Sequence, residues 1–376
     1  MTNFCRCFES FCEERRSLQL LREIEEPHNH LIDFSSNDYL GLSTHPELIN
    51  AAMQAATTYG VGATGSRLLS GNKLLYSELE HDIAHSLKTE DALIFQSGYQ
   101  ANSTALAALV DSKVLKHQAI VFFDKANHAS LYPPLFLQNV HLVRYRHIDM
   151  DDLEHRLCLY QHDPRPKFIV TETLFGMDGD CVDVARLLTL ARRFKAFVYL
   201  DEAHAIGVYG PYGLAQLQDT SGIDIAIMGT FSKAIGTSGA FLACQKTIQK
   251  YLVNKCAGFI YSTAPSPLVI AAAHAAWKII PKLSSERTLL LSKSAYVRKT
   301  LLQQGWNIIP SSSHIICMAF KEEKQVMKTK RQLLTSGILV SAIRPPTAPT
   351  PRIRIAIRAP HSEEDIEQLI TALGAI

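Results

Sequence analysis

An acid and a lysine, each placed at the end of an apolar run, are the groups in this chain best suited to chemistry. Asp201-Glu202-Ala203-His204 closes the run Ala196-Phe197-Val198-Tyr199-Leu200, and Thr230-Phe231-Ser232-Lys233 closes the run from Ile223 to Gly229. Each run reads as a buried strand, and in an open α/β sheet ligands sit outside the carboxyl ends of the strands. Both groups would then face one crevice. A lysine there can form a Schiff base with the aldehyde of pyridoxal 5'-phosphate (PLP). An acid there can keep the ring nitrogen protonated, so that the ring draws electrons. Asp-Glu-Ala-His also spells a helicase signature in which the acid holds Mg²⁺, but that reading requires a Gly-x-x-x-x-Gly-Lys-Ser/Thr phosphate loop. The nearest stretch, Gly65 to Lys73, has the wrong glycine spacing and no hydroxyl residue after the lysine.

A PLP site also needs a ring-stacking surface and a phosphate cradle. Phe95-Gln96-Ser97-Gly98-Tyr99-Gln100-Ala101-Asn102 runs from a strand end into a helix expected over Asn102–Val110. Small residues at a helix N-terminus offer free N–H groups and a favourable dipole to a dianionic phosphate. Asp124-Lys125-Ala126-Asn127-His128-Ala129-Ser130 follows the next strand and brings His128 to the same rim, where an imidazole can stack on a pyridine ring and exchange protons. His204 could bond the ring's phenolic oxygen, and Thr230 and Ser232 supply hydroxyls beside Lys233.

The elements that must position these groups alternate in a βαβ rhythm. Strands are expected at Ala92–Phe95, Ala119–Phe123, Leu142–Tyr145, Phe168–Glu172, Phe197–Asp201, Ile225–Thr230 and Ala240–Ala243. Most are continuous apolar runs, as strands covered on both faces should be. Helical stretches such as Asp183 to Phe194, with Val184, Leu187, Leu188 and Ala191 on one face, separate several of them. The fold expected is therefore α/β with a seven-stranded, mostly parallel sheet. Past Pro281 the texture becomes α+β: a helix from Ser284 to Gln304, strands around His314–Phe320, Ile338–Ile343 and Ile353–Ile357, and a last helix from Ser362 to Leu373. Residues 1–30 suggest an arm with one charged helix ending near Glu26-Pro27. The division expected is an N-terminal arm (1–45), a large cofactor-binding domain (46–281) and a small C-terminal domain (282–376).

Composition narrows the function classes. At 376 residues with a net charge of +2 and intermingled signs, nothing forms the basic stripe that nucleic acid requires. Eight scattered cysteines lack a Cys-x-x-Cys pair, and Cys5, Cys7 and Cys12 have no nearby histidine to complete a metal set. Early charges from Glu9 to Arg16 do not suit a signal peptide, and Leu268–Ile280 is too short and polar to span a bilayer. A metal-free cytoplasmic protein without nucleic-acid or membrane partners is expected.

Asp33-Phe34-Ser35-Ser36-Asn37-Asp38-Tyr39-Leu40-Gly41-Leu42 resembles the signature opening of the α-oxoamine synthases, PLP enzymes of the aspartate-aminotransferase fold (fold type I). The resemblance continues in order through Gly65-Ser66-Arg67, Ser70-Gly71, Ser97-Gly98-Tyr99 and Asn127-His128-Ala129-Ser130. It runs on through Met177-Asp178-Gly179-Asp180, Asp201 to His204, Thr230 to Lys233 and Tyr261-Ser262-Thr263. It implies that Lys233 carries the cofactor and moves the substrate α-proton. Asp201 would hold the pyridinium, His128 would stack on the ring and His204 would contact its phenolic oxygen. Gly98, Tyr99 and Thr230 would bind the phosphate. Thr263 would reach the phosphate of a neighbouring subunit, since family sites lie at a homodimer interface. Arg354 would grip the amino-acid carboxylate, a task suited to a bidentate guanidinium. Asn37 and Arg16 are further substrate-contact candidates.

The reaction implied is a decarboxylative condensation of an amino acid with an acyl thioester, carried on coenzyme A or acyl carrier protein. Ile343-Arg344-Pro345-Pro346-Thr347 resembles the biotin-pathway branch of the family, and Ser66, where glycine-using members tend to have threonine, leaves room for the methyl of L-alanine. Together they imply L-alanine and a pimeloyl thioester. The alternatives are a glycine-using member, such as a 2-amino-3-ketobutyrate ligase or a 5-aminolevulinate synthase, and a non-catalytic subunit of the same fold. The chain departs from the family pattern at Gly176 (usually serine), at Tyr76 (often histidine) and in a shorter loop between Pro349 and Arg352.

Overall fold

The structure, a computed structural model, describes residues 3–18, 20–24 and 30–376. The chain divides into two compact units: residues 37–175 with 180–289, and residues 1–36, 176–179 and 290–376.

A two-residue strand, β1 (Ile32–Asp33), precedes the strands of the larger unit. These are β2 (Asp91–Phe95), β3 (Ile120–Asp124), β4 (His141–Tyr145), β5 (Lys167–Glu172), β6 (Phe197–Asp201), β7 (Ile225–Thr230) and β8 (Ala240–Cys244). They form one sheet in the order β2-β8-β7-β6-β5-β3-β4, in which only β8 runs antiparallel to its neighbours. The expected seven-stranded, mostly parallel sheet is present, each strand within a residue of its expected limits. β3, β7 and β8 are buried along their whole length, which explains why their sequences are apolar runs without alternation.

Register aligns the chemistry. Thr230 pairs with Ala240, which pairs with Phe95, while Asp201 pairs with Met228 and with Glu172. Phe95, Thr230, Asp201 and Glu172 thus line one edge of the sheet. Helix Val184–Phe194 shows how the flanking layer is built. Asp183 caps it by accepting from the Arg186 amide, and Leu187, Leu188, Leu190, Ala191 and Phe194 turn inward. Helix Gly98–Leu109 begins four residues before the expected Asn102. Gly98 reads as a breaker in sequence, but Ser97 caps the helix through the Gln100 amide and lets glycine serve as its first residue.

In the smaller unit, β9 (Ile315–Ala319), β10 (Ile338–Leu339), β11 (Ser341–Ile343) and β12 (Arg352–Ala356) complete the strands. β11, β12 and β9 form an antiparallel sheet, while β10 pairs in parallel with β1. The single strand expected over Ile338–Ile343 is therefore two, because its halves pair in different sheets. Helix Asn3–Ser17 ends well before the expected Glu26-Pro27; residues 20–24 are not helical, and residues 25–29 lie outside the described residues. Arg15 and Arg16 occupy its last turn, where cations suit the helix dipole. The final helix, Glu363–Gly374, carries a full capping box from Ser362 and Asp365. Among the described residues no helix is long and apolar enough to cross a membrane.

Candidate active site

Asp201 is delivered by the end of β6 and is 3% exposed. A carboxylate this buried must be bonded to remain ionised. The Ala203 amide donates to its Oδ1 at 2.9 Å, and the Asn102 side-chain amide donates to its Oδ2 at 2.7 Å. Asn102, buried in the second turn of its helix, is fully engaged. Its second amide hydrogen goes to Ser130 Oγ at 2.9 Å, and its oxygen accepts from the Tyr199 hydroxyl at 2.9 Å.

The network reaches His128. Ser130 Oγ lies 2.7 Å from His128 Nδ1. The Ser130 amide N–H also donates to Nδ1, at 3.3 Å, so Nδ1 is an acceptor, the Ser130 hydroxyl donates to it, and the neutral ring carries its hydrogen on Nε2. Desolvation lowers the His128 pKa and favours this neutral form; Asp201 acts upward and Lys233 downward. His128, Asp201 and Lys233 are thus within electrostatic reach of one another. Glu172, beside Asp201 in register, is pushed well above the usual carboxylate range by burial and then by Asp201. Burial and the neighbouring carboxylate thus disfavour a charge on Glu172 at this sheet edge.

Lys233 lies half-buried in a turn closed by backbone bonds: Gly236 N–H donates to the Lys233 carbonyl at 2.8 Å, and Thr237 N–H to the Phe231 carbonyl at 2.9 Å. Gly236 sits at φ +75°, and a Cβ on it would fall 2.4 Å from the Ser43 amide nitrogen, so only glycine closes this turn. His204 is buried, with Nδ1 2.7 Å from the Tyr39 hydroxyl, which in turn donates to Asn37 Oδ1 at 3.0 Å. The opening signature motif thereby supplies the orienting partner of His204.

The phosphate cradle also assembles. The Gln100 amide is taken by Ser97 and that of Ala101 by the Ser97 carbonyl, and the first-turn amides of Gly98 and Tyr99 have no acceptor within the helix. The Cβ position of Gly98 lies 3.7 Å from Thr230 Cβ, and the Thr230 and Ser232 hydroxyls are 2.8 Å apart. Two amides at a helix N-terminus beside two hydroxyls form an anion site. The donor set therefore fits PLP at each point: an amine, a buried carboxylate, a rim imidazole and an anion cradle.

The remaining expected residues are more dispersed. Thr263 belongs to a segment held in place by Gln96, whose Nε2 donates to the Thr263 carbonyl at 2.7 Å. Ser66 lies in a turn whose closure needs Gly71, since a Cβ there would fall 1.9 Å from the Gly65 carbonyl oxygen. Arg354, in the smaller unit, is buried on β12 and donates through Nε to the Gly176 carbonyl at 2.6 Å. Arg16 is exposed on the N-terminal helix. Asn102, Ser130, Tyr199, Tyr39 and Glu172 were not singled out from sequence. A polar tip inside an otherwise apolar strand was the signal available for Tyr199; Asn102, among Gln100, Ser103 and Thr104, carried none.

A family model described as aminotransferase class I and II matches residues 29–373. An 8-amino-7-oxononanoate synthase of Gluconacetobacter diazotrophicus is 42% identical over 347 residues, covering 91% of this chain and 87% of that one. A serine palmitoyltransferase from S. paucimobilis, solved with PLP and myriocin bound, matches with a TM-score of 0.89 at 26% identity, covering 98% of this chain and 97% of that one. An 8-amino-7-oxononanoate synthase from Francisella tularensis shares the fold, with a TM-score of 0.77, 24% identity, and coverage of 92% and 97%. The chain belongs to the class I and II aminotransferase family of PLP-dependent enzymes, fold type I, in its acyl-transferring α-oxoamine synthase branch.

Proposed function

We propose that this enzyme condenses L-alanine with a pimeloyl thioester, releasing carbon dioxide and the thiol, to give 8-amino-7-oxononanoate for biotin synthesis. The observation that carries the reading is 42% identity, over nearly the whole chain, to the Gluconacetobacter enzyme of that name. The acid–amine–imidazole edge described above supports the chemistry.

When bound, PLP supplies an electron-withdrawing ring that stabilises negative charge on the amino-acid α-carbon. Asp201 holds the proton on the ring nitrogen, and Asn102 and the Ala203 amide hold Asp201. Lys233 would hold the cofactor through its amine and, once that amine is free, would serve as the base for the substrate α-proton. His128, kept neutral, would stack on the ring. His204 addresses the phenolic oxygen from an orientation set by Tyr39. Gly98, Tyr99 and Thr230 hold the phosphate, with Thr263 contributing to the site of a second copy in a homodimer. Arg354 receives the amino-acid carboxylate, and Asn37, Arg16 and Ser66 border the substrate. Ser66 in place of threonine admits the alanine methyl, a preference of about 1–3 kcal/mol.

The test is product mass. Purified protein is given PLP, a pimeloyl thioester, and alanine, glycine and serine, each with its own isotopic label. An alanine-derived amino ketone lacking the carboxyl carbon is expected. A product built on glycine or serine would move the enzyme elsewhere in the branch.

A further inference from the structure

His147 lies two residues past the end of β4 and has no part in the chemistry above, yet both of its ring nitrogens are bonded to carboxylates. Nδ1 lies 2.8 Å from Asp124 Oδ1, and Nε2 lies 2.9 Å from Asp180 Oδ2. Carboxylate oxygens accept, so both ring nitrogens are placed to donate, as those of an imidazolium do. The edge of Phe175 packs against it at 4.4 Å, and the Phe175 amide donates to the Asp180 carbonyl at 2.9 Å. One ring thus ties together the segments that leave three neighbouring strands, β3, β4 and β5.

The first of these segments carries His128. Asp124 is fully buried, and its Oδ1 also accepts from the Ala126 amide at 2.8 Å, which starts the turn leading to His128. Its Oδ2 accepts from the Ile148 amide at 2.8 Å. Ile148 adopts φ +47°, a left-handed conformation that β-branched residues avoid. Backbone strain of this kind persists where surrounding contacts over-determine it. Here it aims an N–H at Asp124. On the other side of the turn, Asn127 bonds β5 through the Val170 carbonyl and the Glu172 amide. The turn bearing His128 is therefore clamped between Asn127 and the Asp124–His147 pair.

We propose that His147 is a positioning residue of the active site: an imidazolium pin between Asp124 and Asp180 that fixes the turn presenting His128 to the cofactor. The proposal rests on the reading of His128 as the ring-facing residue. It is consistent with the titration of the ring: desolvation pulls its pKa down, but the two carboxylates outweigh this and hold it at about 10. The other titratable groups nearby are Tyr132, Tyr145 and Glu172, which face Asp124, and Cys181, which faces Asp180.

Two measurements test it. In the full-length protein labelled with ¹⁵N-histidine, the His147 ring, assigned by its absence in His147→Gln, should keep both nitrogens protonated at pH 8.5, with or without PLP. Titration near the ordinary histidine value of about 6.5 would overturn the proposal. The second measurement is a double-mutant cycle read as PLP affinity of the apoprotein. His128→Ala and His147→Gln should each weaken binding by about tenfold, and His147→Gln should add less than about threefold in the His128→Ala background. Equal losses in both backgrounds would reduce His147 to general scaffolding and overturn this proposal alone. An unaltered affinity in His128→Ala would overturn the reading of His128 along with it.

Discussion

Asn102 donates its side-chain amide to Asp201 Oδ2 at 2.7 Å, from a helix whose first turn, four residues earlier, forms the anion cradle. In the proposed site one helix would therefore serve both ends of the cofactor: its N-terminal amides would address the phosphate, and its second turn would orient the acid proposed for the ring nitrogen. Asn102→Ala should leave the cradle intact while loosening Asp201 and stranding the Tyr199 hydroxyl. Loss of a hydrogen bond to a buried charge costs about 1.5–3 kcal/mol, so PLP affinity should fall by roughly ten- to a hundredfold. Titrating apoprotein with PLP by absorbance measures this; an unchanged dissociation constant would remove Asn102 from the site.

Lys233→Ala should abolish turnover and the visible absorbance of the bound cofactor. It should barely alter stability. The turn around Lys233 is closed by backbone bonds from Phe231, Gly236 and Thr237, and an alanine can occupy it. Thermal unfolding should stay within about two degrees of the parent, as for substitutions away from core packing. Retained turnover, with the fold intact, would assign the amine role elsewhere.

The large sheet was legible in sequence because its strands are buried on both faces and read as unbroken apolar runs, as β3 and β7 do. Asp201 and Lys233 were legible for a related reason: a polar residue closing such a run has to face the crevice. Features set by pairing partners were less accessible. Nothing in Ile338–Ile343 indicates that the chain changes sheets at Val340, because both halves have strand composition and β1, the partner of the first half, lies far away in sequence. Asn102, Ser130 and His147 escaped for the same reason. Each acts through a hydrogen bond to a residue at least twenty positions away, and a polar residue in sequence does not declare its partner.

Two histidines, His361 buried and His147 half-buried, should give stability opposite dependences on pH. His361, in the smaller unit, donates Nε2–H to the Asp33 carbonyl at 3.0 Å and accepts the Arg358 amide on Nδ1 at 3.1 Å, which fixes it as neutral. Burial pulls its pKa down to about 4. The unfolded chain then takes up this proton first, so the stabilisation present above pH 6.5 is lost as pH falls toward 4. His147 has the reverse sign: its pKa is held at about 10, so its contribution is full below pH 6.5 and disappears as pH rises through 10. Melting temperatures across pH 4–10 for the parent, His361→Gln and His147→Gln test both. The acid limb should flatten in the first variant and the alkaline limb in the second; parallel curves would refute the assignments.

Tyr76 is fully buried and has a definite task. Its hydroxyl donates to the Pro265 carbonyl, and the Arg67 guanidinium lies 4.6 Å from its ring centroid. Arg67 in turn makes a bidentate pair with Glu80 at 2.7 and 2.9 Å, and Glu80 also accepts the Ile94 amide at 2.9 Å. The tyrosine thus connects the end of β2 to the segment bearing Thr263. Tyr76→Phe keeps the ring beneath Arg67 and removes only the hydroxyl, leaving the Pro265 carbonyl without that donor. The cost should be about 1–2 kcal/mol of stability, measured by chemical denaturation. PLP affinity should change little, because the Thr263 segment stays held by the Gln96 side chain and the hydroxyl touches none of Asp201, Lys233 and the Gly98 cradle. A tenfold loss of affinity at unchanged stability would instead place Tyr76 within the binding site.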